Sequence, residues 1–192
     1  MSNISSLHVL WADFGVGKTH SLYHLASLLE KDSSGNVLPI YVVLPREAKS
    51  FLSIYQNVVA ALPLDRIATL FAGTVSDSNL ESALNEHFGS QRELGEVLWA
   101  YATGNDTQKA IARRWIMGQK LSRSDLNQSG LHSQVASPDQ ANAQLTDLIQ
   151  VLVNSDEKVD RVLIMLDEFQ RIGSNSKKRF ADINDGLHTF FN

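Results

Sequence analysis

The sequence predicts an α/β fold in which a parallel sheet is interrupted by a long, mainly helical segment. Three observations predict it. An apolar run near the start, "LHVLWA" (7–12), passes through a glycine-bearing turn into residues of helical periodicity. A second apolar, β-branched run, "VLPIYVVLP" (37–45), suits a parallel strand covered on both faces. A third run, in "RVLIMLDEFQRI" (161–172), ends its apolar part at two adjacent carboxylates.

Leu7 to Ala12 reads as a short buried strand and Asp13 to Gly17 as a turn. From Lys18 the period becomes helical, with Leu22, Leu25, Ala26, Leu28 and Leu29 on one face. The small polar stretch "KDSSGN" (31–36) ends that helix. In the strand that follows, Pro39 favours a place near the start or at a sheet edge, because it has no N–H to donate. Strand, turn, helix, strand is a βαβ unit with an expected right-handed crossover.

Residues 46 to 160 read as mainly helical. Phe51, Leu52, Tyr55, Val58, Val59 and Leu62 keep helical spacing until Pro63 stops the run. Further amphipathic pieces are expected around 78–88, 91–102 and 106–117, and "SRSDLNQSGLHSQVASPDQ" reads as a polar loop. "SPDQANAQLTDLIQVLV" opens with Ser137 as cap, Pro138 at the first helical position and Gln140 completing a capping box. After the acidic strand, Phe180, Ile183, Leu187 and Phe191 fall on one face of a final helix despite Gly186.

The 192 residues suffice for one sizeable domain, and 43% hydrophobic with 20% charged residues is an ordinary globular composition. A net charge of −4 provides no global basic field for nucleic acid. With no cysteine in the chain, disulfides, zinc–thiolate sites and cysteine nucleophiles are excluded. The start, "MSNISSLHVLWADF", lacks a secretory signal's basic head and long apolar core, and no run is long enough to span a bilayer. A cytoplasmic protein with no membrane partner is the expectation.

The chemistry lies in "ADFGVGKT" (12–19), which fits the P-loop (Walker A) pattern except that Ala12 replaces its leading glycine. Gly15 and Gly17 let backbone N–H groups turn inward as an anion nest at a helix N-terminus. Asp13, Phe14, Gly15, Val16, Gly17, Lys18, Thr19 and His20 are the expected nucleotide cradle. Within it, Lys18 reaches the β- and γ-phosphates and the Thr19 hydroxyl joins a Mg²⁺ shell. Asp167, at the carboxyl end of an apolar parallel strand, meets the requirement for a Walker B aspartate that holds Mg²⁺. Glu168 is placed to activate the attacking water. The Asp-Glu pair argues for triphosphate hydrolysis and against a nucleotide kinase, which must exclude water.

Other features point elsewhere less strongly. "EKVD" (157–160) looks like a damaged guanine-reading motif, but it precedes the acidic strand and starts with Glu157, so adenine is the better reading. His20 and His24 are spaced as a metal pair without a third ligand. Arg113, Arg114 and Trp115 could contact nucleic acid or a neighbouring subunit, but an amphipathic helix with Trp115 packed inward is the simpler expectation. Lys177, Lys178 and Arg179 read as a solvated helix start, and Arg171, just past the acidic pair, could sense the γ-phosphate of a neighbouring subunit, though nothing in the sequence assigns it that role.

"ADFGVGKTHSLYHLASLL", "PIYVVLPREAKSFLSIYQNVVAALP", "AIARRWIMGQKLSRSDLNQSGL" and "RVLIMLDEFQRI", in this order, resemble origin-recognition-type AAA+ ATPases. They are particularly similar to bacterial ATP-binding proteins of that branch in phage-defence loci of the BREX kind. The resemblance implies an αβα sandwich ATPase core over 1–192, with a helical insertion at about 46–160 and ATP and Mg²⁺ as cofactors. It implies a homo-oligomer or a subunit of a defence or DNA-processing complex. On that pattern a sensor 1 strand, a helical lid and any DNA-binding region would follow "GLHTFFN", so the chain is expected to be the front part of a longer protein. A nucleotide-dependent scaffold without turnover is the alternative.

Overall fold

The computed structural model describes residues 8, 10, 16–31, 36–45, 50–75, 79–88, 92–173 and 177–191. In chain order these form α1 (Lys18–Lys31), β1 (Val37–Val43), α2 (Phe51–Ala61), α3 (Leu64–Thr74), α4 (Leu80–His87) and α5 (Arg92–Thr103). They continue with α6 (Asp106–Ile116), α7 (Arg123–Ser129), α8 (Pro138–Ser155), β2 (Arg161–Asp167), α9 (Gln170–Gly173) and α10 (Lys177–Phe191). The architecture is mixed α/β: a two-stranded parallel sheet among many helices. The first expected strand, 7–12, lies outside the described residues apart from His8 and Leu10, which are exposed and carry no strand.

β1 and β2 pair in parallel, with Val37 opposite Arg161 and Val43 opposite Asp167. Their starts are stapled by Asn36, whose carbonyl accepts from the Asp160 N–H at 2.8 Å and whose side-chain amide donates to the Asp160 carboxylate at 3.2 Å. Because strand side chains alternate, the even positions Ile40, Val42 and Leu44 enter the helical core together with Ile164 and Leu166. The odd positions, including Tyr41 and Asp167, face the other way.

The core sits in the helical layer. α2 buries Phe51, Ile54, Tyr55, Val58 and Val59 at the spacing of one helix face. The Tyr55 hydroxyl, within that core, donates to the Ile116 carbonyl at 2.6 Å. α8 contributes Ala141, Leu145, Leu148, Val151 and Leu152. α10 approaches α2 so closely that a Cβ on Gly186 would lie 2.4 Å from Cγ of Phe51, and the Gly186 carbonyl accepts from buried Asn142 at 2.9 Å. The glycine in the final helix is therefore a packing requirement rather than a flaw in the pattern.

Several expected elements are corrected. α3 was hidden behind Pro63, which ends α2 and also precedes a second helix burying Ile67, Ala68 and Phe71. The polar stretch after 121 contains α7, begun by a reciprocal capping box between Ser122 and Asp125. Ser137 does cap α8, accepting from Gln140 N at 3.2 Å, but the Gln140 side chain reaches past it to the Ala136 N–H at 2.9 Å. On α10, Ile183 and Leu187 are buried while Phe180 faces outward, 44% exposed. Among the described residues no helix is long and apolar enough to cross a membrane.

Candidate functional site

The acidic tip of β2 is built by the sheet register. Pairing Val43 with Asp167 places the carboxylate at the carboxyl end of a parallel pair, and the Leu44 N–H extends the ladder by donating to the Asp167 carbonyl at 3.1 Å. Asp167 is only 8% exposed, so its charge needs partners. One oxygen, Oδ2, accepts from the Tyr41 hydroxyl at 2.6 Å, and the other accepts from the Glu168 N–H at 2.7 Å. Thr19, in the first turn of α1, stands near this carboxylate and favours its ionised form. Burial works against ionisation here, but the hydrogen bonds from Tyr41 and the Glu168 N–H, the Thr19 hydroxyl nearby and the Arg171 charge outweigh it. They hold the carboxyl below the usual range. Burial first, and then the same contact, push the Tyr41 phenol up, so the proton stays on Tyr41.

α1 reaches the site because it lies across the odd face of the sheet. Its Tyr23 ring sits 4.3 Å from the Tyr41 ring at an interplanar angle of 32°. Its start is set by Gly17, whose φ of +89° suits glycine and whose carbonyl accepts from Ser21 N at 2.9 Å and Ser21 Oγ at 3.1 Å. Val16, Gly17, Thr19 and His20 are exposed and Lys18 is half-exposed. The α1 N-terminus and the tip of β2 therefore converge through Thr19 and Asp167. Asp13, Phe14 and Gly15 lie outside the described residues.

Glu168 leaves the strand at a φ of +61°, a left-handed conformation uncommon for a residue with a side chain. Its Oε2 forms an ion pair with Arg171 Nε at 2.9 Å and accepts a hydrogen bond from Gln170 Nε2 at 3.0 Å. Arg171 Nη1 in turn donates to the Leu44 carbonyl at 2.7 Å, just past β1. The short α9 that carries both donors is anchored by Ile172, 1% exposed.

Sequence reading missed three members of this site: Tyr41, Gln170 and Arg171. Tyr41 was legible as the one residue with a hydroxyl in an otherwise apolar run, on the face that period two assigns to Asp167. Arg171 stands three residues after Glu168, the spacing of neighbours on one helical turn.

The residues set aside from sequence lie elsewhere. Trp115 is buried and donates from Nε1 to the Ser133 carbonyl at 2.7 Å, while Arg114 pairs with Asp125 at 3.2 Å. His20 and His24 are both exposed on α1, and among the described residues no three His, Asp or Glu side chains group as a metal site. A hollow of about 310 Å³ opens between α3, α5 and α6, lined by Asp65, Tyr101, Lys109 and Arg113 and by none of the residues above. Of the candidate side chains among the described residues, Thr19 and Asp167 come together at the strand tip, with Glu168 next in the chain.

No family model, curated protein or solved structure matches this chain.

Proposed function

We propose that the chain binds ATP with Mg²⁺ at the junction of α1 and β2 and hydrolyses it, as a P-loop ATPase of AAA+ type. The observation that carries this reading is the proximity of Thr19 to Asp167: they lie 148 positions apart in the sequence, yet the start of α1 comes beside the tip of β2, as a P-loop helix and a Walker B strand would. The donor set fits the metal: a hydroxyl and a carboxylate kept ionised are hard oxygen ligands of the kind Mg²⁺ takes. Lys18 and the backbone N–H groups before it would hold the phosphates, with Thr19 and Asp167 at the metal. Bound Mg²⁺ would neutralise charge on the β- and γ-phosphates. Glu168 would accept the proton of the attacking water.

The αβα sandwich, a helical insertion at about 46–160 and action within a cytoplasmic oligomer or a defence or DNA-processing complex belong to this same proposal. The alternative is a nucleotide-dependent scaffold without turnover, which would follow if the Arg171 pair kept Glu168 from accepting a proton rather than positioning it. ATP turnover of Glu168→Gln separates the two. Loss of a general base lowers the rate by about 100-fold or more with nucleotide binding kept. Equal background rates in wild type and variant would leave only the scaffold, and failure of Lys18→Ala to weaken ATP binding would sink both.

A further inference from the structure

We propose that Arg171 is a positioning residue for Glu168: fixed on the β1 end through the Leu44 carbonyl, it holds one carboxylate oxygen and leaves the other to face water. This rests on the ATPase reading above and adds to it a residue that the sequence left without a role.

A side-chain-bearing residue such as Glu168 at φ +61° is strained, and such a conformation persists only where its surroundings enforce it. The enforcing contacts are visible. Oε2 is held by the Arg171 guanidinium, as an ion pair with Nε at 2.9 Å, and by a hydrogen bond from Gln170 Nε2 at 3.0 Å, while Oε1 has no such partner among the described residues. A carboxylate with both oxygens tied would be a poor proton acceptor, and one with neither tied would sample many rotamers. Division between a held oxygen and an open one gives the arrangement a general base needs.

Arg171 can do this because its guanidinium is a planar fork. Nε addresses Glu168 while Nη1 addresses Leu44 at 2.7 Å, so one rigid group spans from the strand end to the base. A lysine presents a single ammonium and cannot fix both partners in one plane. The backbone repeats the connection, with the Arg171 N–H donating to the Glu168 carbonyl at 2.9 Å. The guanidinium is also partly shielded, at 27% side-chain exposure, which strengthens its hold relative to a surface pair.

The test has a nucleotide-free arm and a turnover arm, both on the full chain. In the ¹H–¹⁵N spectrum of the protein alone, the Arg171 Nε–H resonance is expected to be shifted and slow to exchange, and to move to the free-arginine position in Glu168→Ala. In turnover, Arg171→Ala lowers kcat about tenfold with KM within about twofold, and Arg171→Lys recovers only part of the loss. The melting temperature and ATP affinity of each variant identify any that fail to fold. In a Glu168→Gln background, Arg171→Ala adds no further loss, since the two residues act as a unit. An unmoved Nε–H signal, a kcat at or above wild type in Arg171→Ala, or the same tenfold loss in the Glu168→Gln background overturns the inference. Loss on Glu168→Gln without loss on Arg171→Ala removes this inference alone. No loss with either removes the ATPase reading and the inference with it.

Discussion

The helical layer and the sheet face that carries the site are held together by different forces. In the layer, Ile67, Val59, Leu94, Leu98, Leu148 and Leu152 have no exposure at all, and even polar Gln144 is buried, on the Ile116 carbonyl. On the site face, α1 has no buried residue, and Tyr23, Leu25 and Leu28 are 54%, 40% and 51% exposed. Order there comes from directed contacts: Tyr41 and the Glu168 N–H on Asp167, Arg171 and Gln170 on Glu168. Burial is non-directional and scales with area, so it makes a body stable without specifying chemistry. Hydrogen bonds to charged groups contribute less in total but fix positions. The molecule therefore separates the part that holds the fold from the part that can respond to a ligand.

Truncating a side chain in the helical layer should cost the most stability. Phe71 is 1% exposed and meets Phe88 edge-on, with ring centroids 5.1 Å apart. Phe71→Ala should cost about 3–5 kcal/mol of unfolding free energy, transfer and cavity together. Leu28→Ala, an apolar truncation on the site face, should stay within about 0.5 kcal/mol. Urea denaturation of both variants checks the pair, and a comparable loss in Leu28→Ala would show that the site face is packed after all.

An intermediate effect comes from the seam between α2 and α10. Alanine in place of Gly186 gains about 1 kcal/mol of helix propensity, yet its methyl would sit 2.4–2.8 Å from the buried Phe51 side chain. Overpacking of this kind costs about 1–3 kcal/mol, so Gly186→Ala should be destabilised on balance. A variant more stable than wild type in the same urea titration would show that propensity wins.

What could be read from the sequence divides along the same line. The start of α1 at Lys18, the end of β2 at Asp167 and the Ser137 cap were legible because each is a local signal: a turn, a change of period, a side chain on its own helix. α3 and α7 were not, for opposite reasons. Pro63 was read as a stop, when the same fixed φ also suits the entry to a helix, and α7 has a capping box but no apolar stripe to announce it. The Gly186–Phe51 contact and the Tyr41–Asp167 bond join residues more than a hundred positions apart, and only the packed chain reveals them. Arg171 stands three residues from Glu168, a spacing that allows the pair but does not by itself distinguish it from a solvated arginine.

The smallest effect is a pH dependence with opposite signs in the two regions. Asp147 of α8 lies half-buried beside Phe71 and Thr74, and burial pushes its carboxyl up to about 6. A carboxyl raised in the folded state favours the protonated form there. Its contribution to stability is complete below the ordinary value of 3.8 and is lost as pH rises through about 6. At pH 7 Asp147→Asn should therefore be more stable than wild type, by about 1 kcal/mol once its half exposure is allowed for. Asp167 is held below the usual range instead, so its contribution is present at neutral pH and lost as pH falls. Asp167→Asn should accordingly lie below wild type at pH 7. Both variants should converge on wild type in acid, where each carboxyl is protonated folded or unfolded. Denaturation midpoints across pH 3 to 8 check the pair. If Asp167→Asn instead rose above wild type at neutral pH, the contacts from Tyr41, Thr19 and Glu168 would not offset its burial, and the site face would be a strained surface waiting for a cation rather than one already balanced.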